Sequence, residues 1–160
     1  MVTIQLICVG KLKESFWLQA VQEYVKRLGA YCRLIIDEIP ESRLSSSPSG
    51  AEISAALKKE AEQIRRCLPR GGTVIAACIE GKAMPSAEFS SLLEQYEITG
   101  ASHISFLIGG SFGLDDTLKK EADFRFSMSP MTFPHHLARV MLLEQIYRAF
   151  QIRTGGRYHK

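Results

Sequence analysis

No apolar run in the 160-residue sequence is long enough to cross a membrane: "VIAACI" and "ISFLIGG" fall far short of the ~18–20 residues a spanning helix needs. The four cysteines, Cys8, Cys32, Cys67 and Cys78, lie 24, 35 and 11 residues apart, so there is no C-x-x-C pair. That spacing excludes a zinc ribbon or a dithiol redox centre, and thiols set in apolar runs read as buried and reduced. The sequence also lacks H-E-x-x-H, and His135-His136 has no thiol at chelating spacing, so no metal is expected. Its N-terminus, "MVTIQLICVGKLK", carries its charges after the apolar stretch and has no small-residue cleavage site. This reads as a first strand of a cytoplasmic protein, not as a leader. No internal repeat is visible.

The net charge of +3 is unevenly spread. From Met131 to Lys160 there are five basic residues and one acid, Glu144, for a local +4, which leaves −1 on the rest of the chain. A basic C-terminal segment on a nearly neutral body suits a polyanion such as RNA, though a solvated helix face has the same signature.

Hydrophobic periodicity predicts five strands alternating with helices: "TIQLICV", "YCRLIIDEI", "TVIAACI", "HISFLI" and "FRFSM". Helical spacing runs through "ESFWLQAVQEYVKRL", residues 51–68, a helix capped by Ser86, a short helix near 115–122 and a last helix near 135–152. "PESRLSSSPSG" reads as a mobile loop, the one linker-like stretch. Strands that lose polar alternation are buried on both faces, so residues 1–160 are expected to form one α/β domain, its mainly parallel sheet covered by helices on both sides. The last helix is apolar over more than half its circumference, which predicts a second partner for it, either a copy of the chain or the chain's own core.

The run "FLIGGSFGLDD" behind the fourth strand admits three readings. As G-x-S-x-G it is a nucleophile elbow with Ser111 attacking, and Asp115, Asp116, Asp123, His135 and His159 follow in the order a hydrolase triad requires. As a glycine turn at a strand's carboxyl end it brings backbone close to a nucleotide-like ligand. As neither, it is simply a tight turn. The G-x-G-x-x-G spacing after the first strand and its distant acidic partner are absent, which argues against a dinucleotide site.

"VGKLKE", "FLIGGSFG" and "SMSPMTFPHHLARVMLLEQIYRAFQIRTGGRYHK" together closely resemble the bacterial RlmH family of the SPOUT superfamily. These small methyltransferases act on N3 of a pseudouridine in 23S, large-subunit, ribosomal RNA. The resemblance implies a C-terminal trefoil knot, a homodimer with its sites at the subunit interface, and S-adenosylmethionine as cofactor. Position by position it assigns cofactor contacts to Ala77, Gly109, Met128, Ser129, Pro130, Met131, Thr132 and Phe133. It also points to Tyr158 and His159 behind a Gly155-Gly156 hinge as groups reaching the acceptor nitrogen, with His135 competing for the base role. Arg148, Arg157 and Lys160 are expected to meet RNA, the assembled ribosome being the expected partner, and Arg148 also to assist the chemistry. A ribosome-binding module without catalysis, or a small hydrolase using Ser111, are the rival readings.

Overall fold

The computed structural model describes residues 1–160. Ten elements alternate along the chain: β1 (Thr3–Val9), α1 (Ser15–Leu28), β2 (Arg33–Ile39), α2 (Gly50–Cys67), β3 (Thr73–Ala83), α3 (Ser86–Ile98), β4 (His103–Ile108), α4 (Asp116–Glu121), β5 (Phe124–Ser127) and α5 (His135–Arg153). The five strands form one sheet in the order β2-β1-β4-β3-β5, and every neighbouring pair is parallel. No helix is long and apolar enough to cross a membrane.

Alternation along the strands sorts the core into two layers. Ile4, Leu6 and Cys8 of β1, with Ile104 and Phe106 of β4, face α1, α3 and α5. Ile7 and Val9 of β1, with Leu107 of β4, face α2 and α4. Both faces are therefore covered, as parallel sheets require.

Ser86 opens α3 without capping it, two other local expectations change and one left open is narrowed. β3 does not stop at Ile79 but runs to Ala83, with a register shift against β5 between Ala77 and Lys82. Gly81 permits this, because a β-carbon there would lie 2.6 Å from the Phe126 carbonyl carbon. The segment read as a mobile loop, residues 40–50, gives its last residue to α2 and is anchored: Ser42 donates its amide to Glu60 of α2 at 2.9 Å, and Ser49 caps α2 in a reciprocal box with Glu52. Finally, much of the wide apolar face of α5 is used within the chain. Leu142, Leu143, Ile146 and Phe150 are buried against α1, α3 and the sheet, while Val140, Met141 and Tyr147 stay half-buried. Leu143 is thus core, not interface.

One buried charge ties α5 to the sheet. Arg139, 1 % exposed, pairs with Glu38 at the end of β2 (2.8 Å) and donates to the Gly10 carbonyl just after β1 (2.9 Å). Burial pushes the Glu38 carboxyl up, but Arg139 and the Leu12 amide outweigh it and hold it below its ordinary value. The stabilisation from this pair is therefore complete above the unfolded carboxylate pKa of about 4.3 and is lost as pH falls through the lower folded value. Because the Glu38 side chain is 33 % exposed, Arg139→Met is expected to cost about 2 kcal/mol at pH 7, below the ~3–5 kcal/mol of a fully buried pair. Urea denaturation at pH 7 and pH 3 checks this: the gap between variant and wild type should narrow in acid, and an equal gap at both would contradict it.

Candidate active site

The carboxyl ends of β3, β4 and β5 open onto one cavity of about 730 Å³, completed by the segment that leads into α5. Ligands of open α/β sheets bind in this position, beyond the carboxyl ends of the strands. Its floor is the turn after β4. There Gly113 (φ +77°) donates its amide to Gly110, and a β-carbon on Gly109 would lie 2.8 Å from Gly113 Cα and closer still to its carbonyl. Gly109 is therefore required by the turn itself; the obstacle to a side chain is the chain's own backbone. One wall is the 128–134 segment, curled by two bonds: Ser127 Oγ donates to the Ser129 carbonyl, and Ser129 Oγ accepts the Met131 amide, each at 3.0 Å.

Seven of the residues assigned to the cofactor line this cavity: Ala77, Gly109, Met128, Ser129, Met131, Thr132 and Phe133. Pro130 does not; it is exposed on the outside of the curl. The lining also includes Cys78, Ile79, Glu80, Phe112 and Lys119, which the sequence did not single out. Lys119 pairs with Glu80 across the gap between α4 and β3, a contact between residues 39 apart that local patterns cannot reveal. Half of the 22 lining residues are apolar and the volume suits a nucleoside-sized ligand, so the residues present fit S-adenosylmethionine.

The groups assigned to catalysis fall into two places. His135 lines the cavity at the start of α5, its ring 4.0 Å from that of His136. Burial first, then His136 and Arg139, lower its pKa against the opposing pull of Glu41, so the imidazole is neutral at pH 7 and has a lone pair to offer. Tyr158, His159 and Arg148 gather elsewhere. Thirteen residues of helix separate Arg148 from His135, about 20 Å of rise. Arg148 is bound to Glu144 through Nε (2.9 Å) and Nη2 (2.5 Å), its guanidinium lies 4.7 Å over the Tyr158 ring, and its Nη1 is 3.3 Å from His159 Nδ1. Tyr158 donates to Glu144 at 3.1 Å, so the tail is folded back and held. Burial, Tyr24 and Glu144 together push the Tyr158 hydroxyl up to about 12. It stays protonated at neutral pH and can donate a hydrogen bond but not take a proton. Glu144, the hub of this cluster, was not among the expected site residues, although its i,i+4 spacing to Arg148 is visible in the sequence. Arg157 and Lys160 are exposed and make no ion pair.

A groove of about 380 Å³ runs between the two places, lined by Tyr24, Met84, Val140 and Glu144 and sharing Phe126 and Met128 with the cavity. No hydrolase geometry is present. Ser111 gives its amide to Glu41 and its hydroxyl bonds no histidine, while Asp115 caps α4 through Thr117.

The family model described as "Predicted SPOUT methyltransferase" matches residues 2–159. A "Ribosomal RNA large subunit methyltransferase H" of Streptococcus suis is 45 % identical over 157 residues, covering 98 % of this chain and 99 % of that one. A protein of the same name from Clostridium botulinum is 46 % identical over the same shares. The chain belongs to the RlmH family of SPOUT methyltransferases. Among solved structures, a probable methylase family protein from Haemophilus influenzae aligns over 99 % of this chain and 70 % of its own, with a TM-score of 0.56 and 12 % identity, a likeness of fold. Membership in a methyltransferase family overturns the hydrolase reading of "GGSFG".

The two glycine-turn residues accordingly separate in their expected behaviour. Gly109→Ala should already deform the turn and lower cofactor affinity at least about tenfold, because the backbone of Gly113 cannot yield as a side chain tip would. Ser111→Ala keeps its amide bond to Glu41 and should retain methylation within about tenfold, at most a hydrogen bond's worth. Methyl incorporation by both folded variants is the check, and an inactive Ser111→Ala beside an active Gly109→Ala would contradict this assignment.

Proposed function

We propose that the protein uses S-adenosylmethionine to methylate N3 of a pseudouridine in large-subunit ribosomal RNA, acting on the ribosome in the cytoplasm. The observation that carries this reading is the glycine-floored cavity at the carboxyl ends of β3, β4 and β5, in a chain whose relatives are named as large-subunit ribosomal RNA methyltransferases. The reading takes residues 1–160 as one domain, knotted in its C-terminal part, without a metal.

In this assignment the 128–133 curl and the 109–113 turn would hold the cofactor between them, with Met128, Met131 and Phe133 supplying apolar lining. When bound, the cofactor supplies an electrophilic methyl group on a sulfonium centre. The chain's task is then alignment, since methyl transfer is an in-line displacement in which acceptor nitrogen, methyl carbon and sulfur must be collinear. The N3 proton must also leave. His135, neutral at pH 7 and on the cavity wall, is the group placed to take it, with His159 on the tail as the alternative; Tyr158 stays protonated and donates a hydrogen bond to Glu144.

Within one chain the tail gathers around Glu144 and Arg148 and lines no part of the cavity, which favours two copies. We place the tail of one subunit against the cavity of the other in a homodimer, with α5 and the half-buried Val140, Met141 and Tyr24 at the contact. Arg157 and Lys160 are then free to hold phosphates, and Arg148, bound to Glu144, keeps Tyr158 in place while lending positive potential.

Removing Arg157–Lys160 is expected to leave cofactor affinity within about twofold, because none of these residues lines the cavity, and to abolish methylation. Calorimetry with S-adenosylmethionine and methyl incorporation into large ribosomal subunits, run side by side, test this. Equal turnover by truncated and full-length protein would refute the role of the tail, and no cofactor binding by the full chain would refute the function.

A further inference from the structure

The loop between β2 and α2 reaches the glycine turn through a single carboxylate. Glu41 Oε1 accepts the Ser111 amide at 2.8 Å, across 70 residues of sequence. The same carboxylate fills the space a side chain at Gly110 would need: a β-carbon there would lie 2.6 Å from Oε1 and 3.0 Å from the carboxyl carbon. A side chain at position 110 would therefore have to displace the Glu41 carboxylate. One residue on, Ser42 is held by Glu60 of α2, itself 5 % exposed, so the loop has a buried anchor behind it. Leu44, Ile53 and Leu57 close a cavity of about 240 Å³ against the back of Ser111 and Phe112. Burial pushes the Glu41 carboxyl up, but the Ser111 hydrogen bonds, with His135 and His136, outweigh it and hold it below its ordinary value. It is ionised at neutral pH, and its bond to the amide is charge-assisted.

Taking the cavity as the cofactor site, as proposed above, we propose that Glu41 is a positioning residue that braces the Gly110–Gly113 turn in its cofactor-binding shape and couples the 40–49 loop to cofactor occupancy. The coupling runs both ways, since whatever fixes the turn favours the ligand and the ligand then favours the loop contact. The loop whose composition suggested mobility becomes part of the binding apparatus.

Glu41→Ala and Glu41→Gln, compared with wild type, test this. In ligand-free protein the Ser111 amide should exchange with solvent about tenfold faster in Glu41→Ala but near the wild-type rate in Glu41→Gln, whose amide oxygen accepts the same bond. Affinity for S-adenosylmethionine should fall about tenfold in Glu41→Ala and stay within about threefold in Glu41→Gln, with the cofactor KM rising in parallel and kcat little changed. In wild type, added cofactor should slow exchange at Ser42–Ser45, and Glu41→Ala should lose that protection. If Glu41→Ala does not fold, Glu41→Asp, one methylene short of Ser111, replaces it. Equal Ser111 exchange in wild type and the shortened variant, or equal cofactor affinity, overturns the brace while leaving the function standing. A wild-type protein that binds no cofactor overturns the functional reading instead, and Ser111 exchange then decides the brace by itself.

Discussion

Between Gly109 and Gly113 the backbone doubles back so tightly that a β-carbon on Gly109 would sit 2.8 Å from Gly113 Cα. This close approach keeps the chain from running on over the end of the sheet, and so leaves the ends of β3, β4 and β5 open as a cavity. It also turns the Ser111 amide toward Glu41 and leaves Phe112 half exposed at the cavity rim. Without the turn, the 128–134 curl would have nothing to face. The site is thus built first by backbone sterics and only then furnished with side chains.

α5 organises the rest. Its first turn brings His135 to the cavity, its second carries Arg139 into the core against Glu38 and Gly10, and its later turns carry Glu144 and Arg148, which hold the tail. The rise of α5 from His135 to Arg148 is about 20 Å. One chain therefore presents the cavity and the tail cluster at different places along α5, with a groove between them. In the homodimer proposed above, each copy would lend its tail to the other.

The layered architecture was legible in the sequence because burial on both faces erases polar alternation, as it does in "VIAACI" and "ISFLI". The residues expected at the cofactor came from family resemblance alone, since no spacing rule reaches from Ala77 to Met131, and seven of the eight line one cavity. What stayed hidden were features that depend on distant partners. "EGKA" is polar and lies beyond the strand expected at "TVIAACI", yet it continues β3 because Gly81 lets the β5 backbone draw near. Composition measures how much apolar surface residues 40–49 can bury, but not that Glu41 and Ser42 find hydrogen-bonding partners on the glycine turn and α2. The apolar circumference of α5 likewise could not separate Leu143, which the sheet and its helices cover, from Val140, which they cover only in part.

The central claim is that a methyl group carried in this cavity ends on N3 of a pseudouridine in large-subunit ribosomal RNA. Mass mapping of modified nucleotides tests it most directly, on ribosomes from cells lacking the gene, before and after incubation with the purified protein and S-adenosylmethionine. One pseudouridine in the large-subunit RNA should gain a single methyl group at N3. An unchanged nucleotide map, or a methyl group appearing only on another atom or another RNA, would contradict the account.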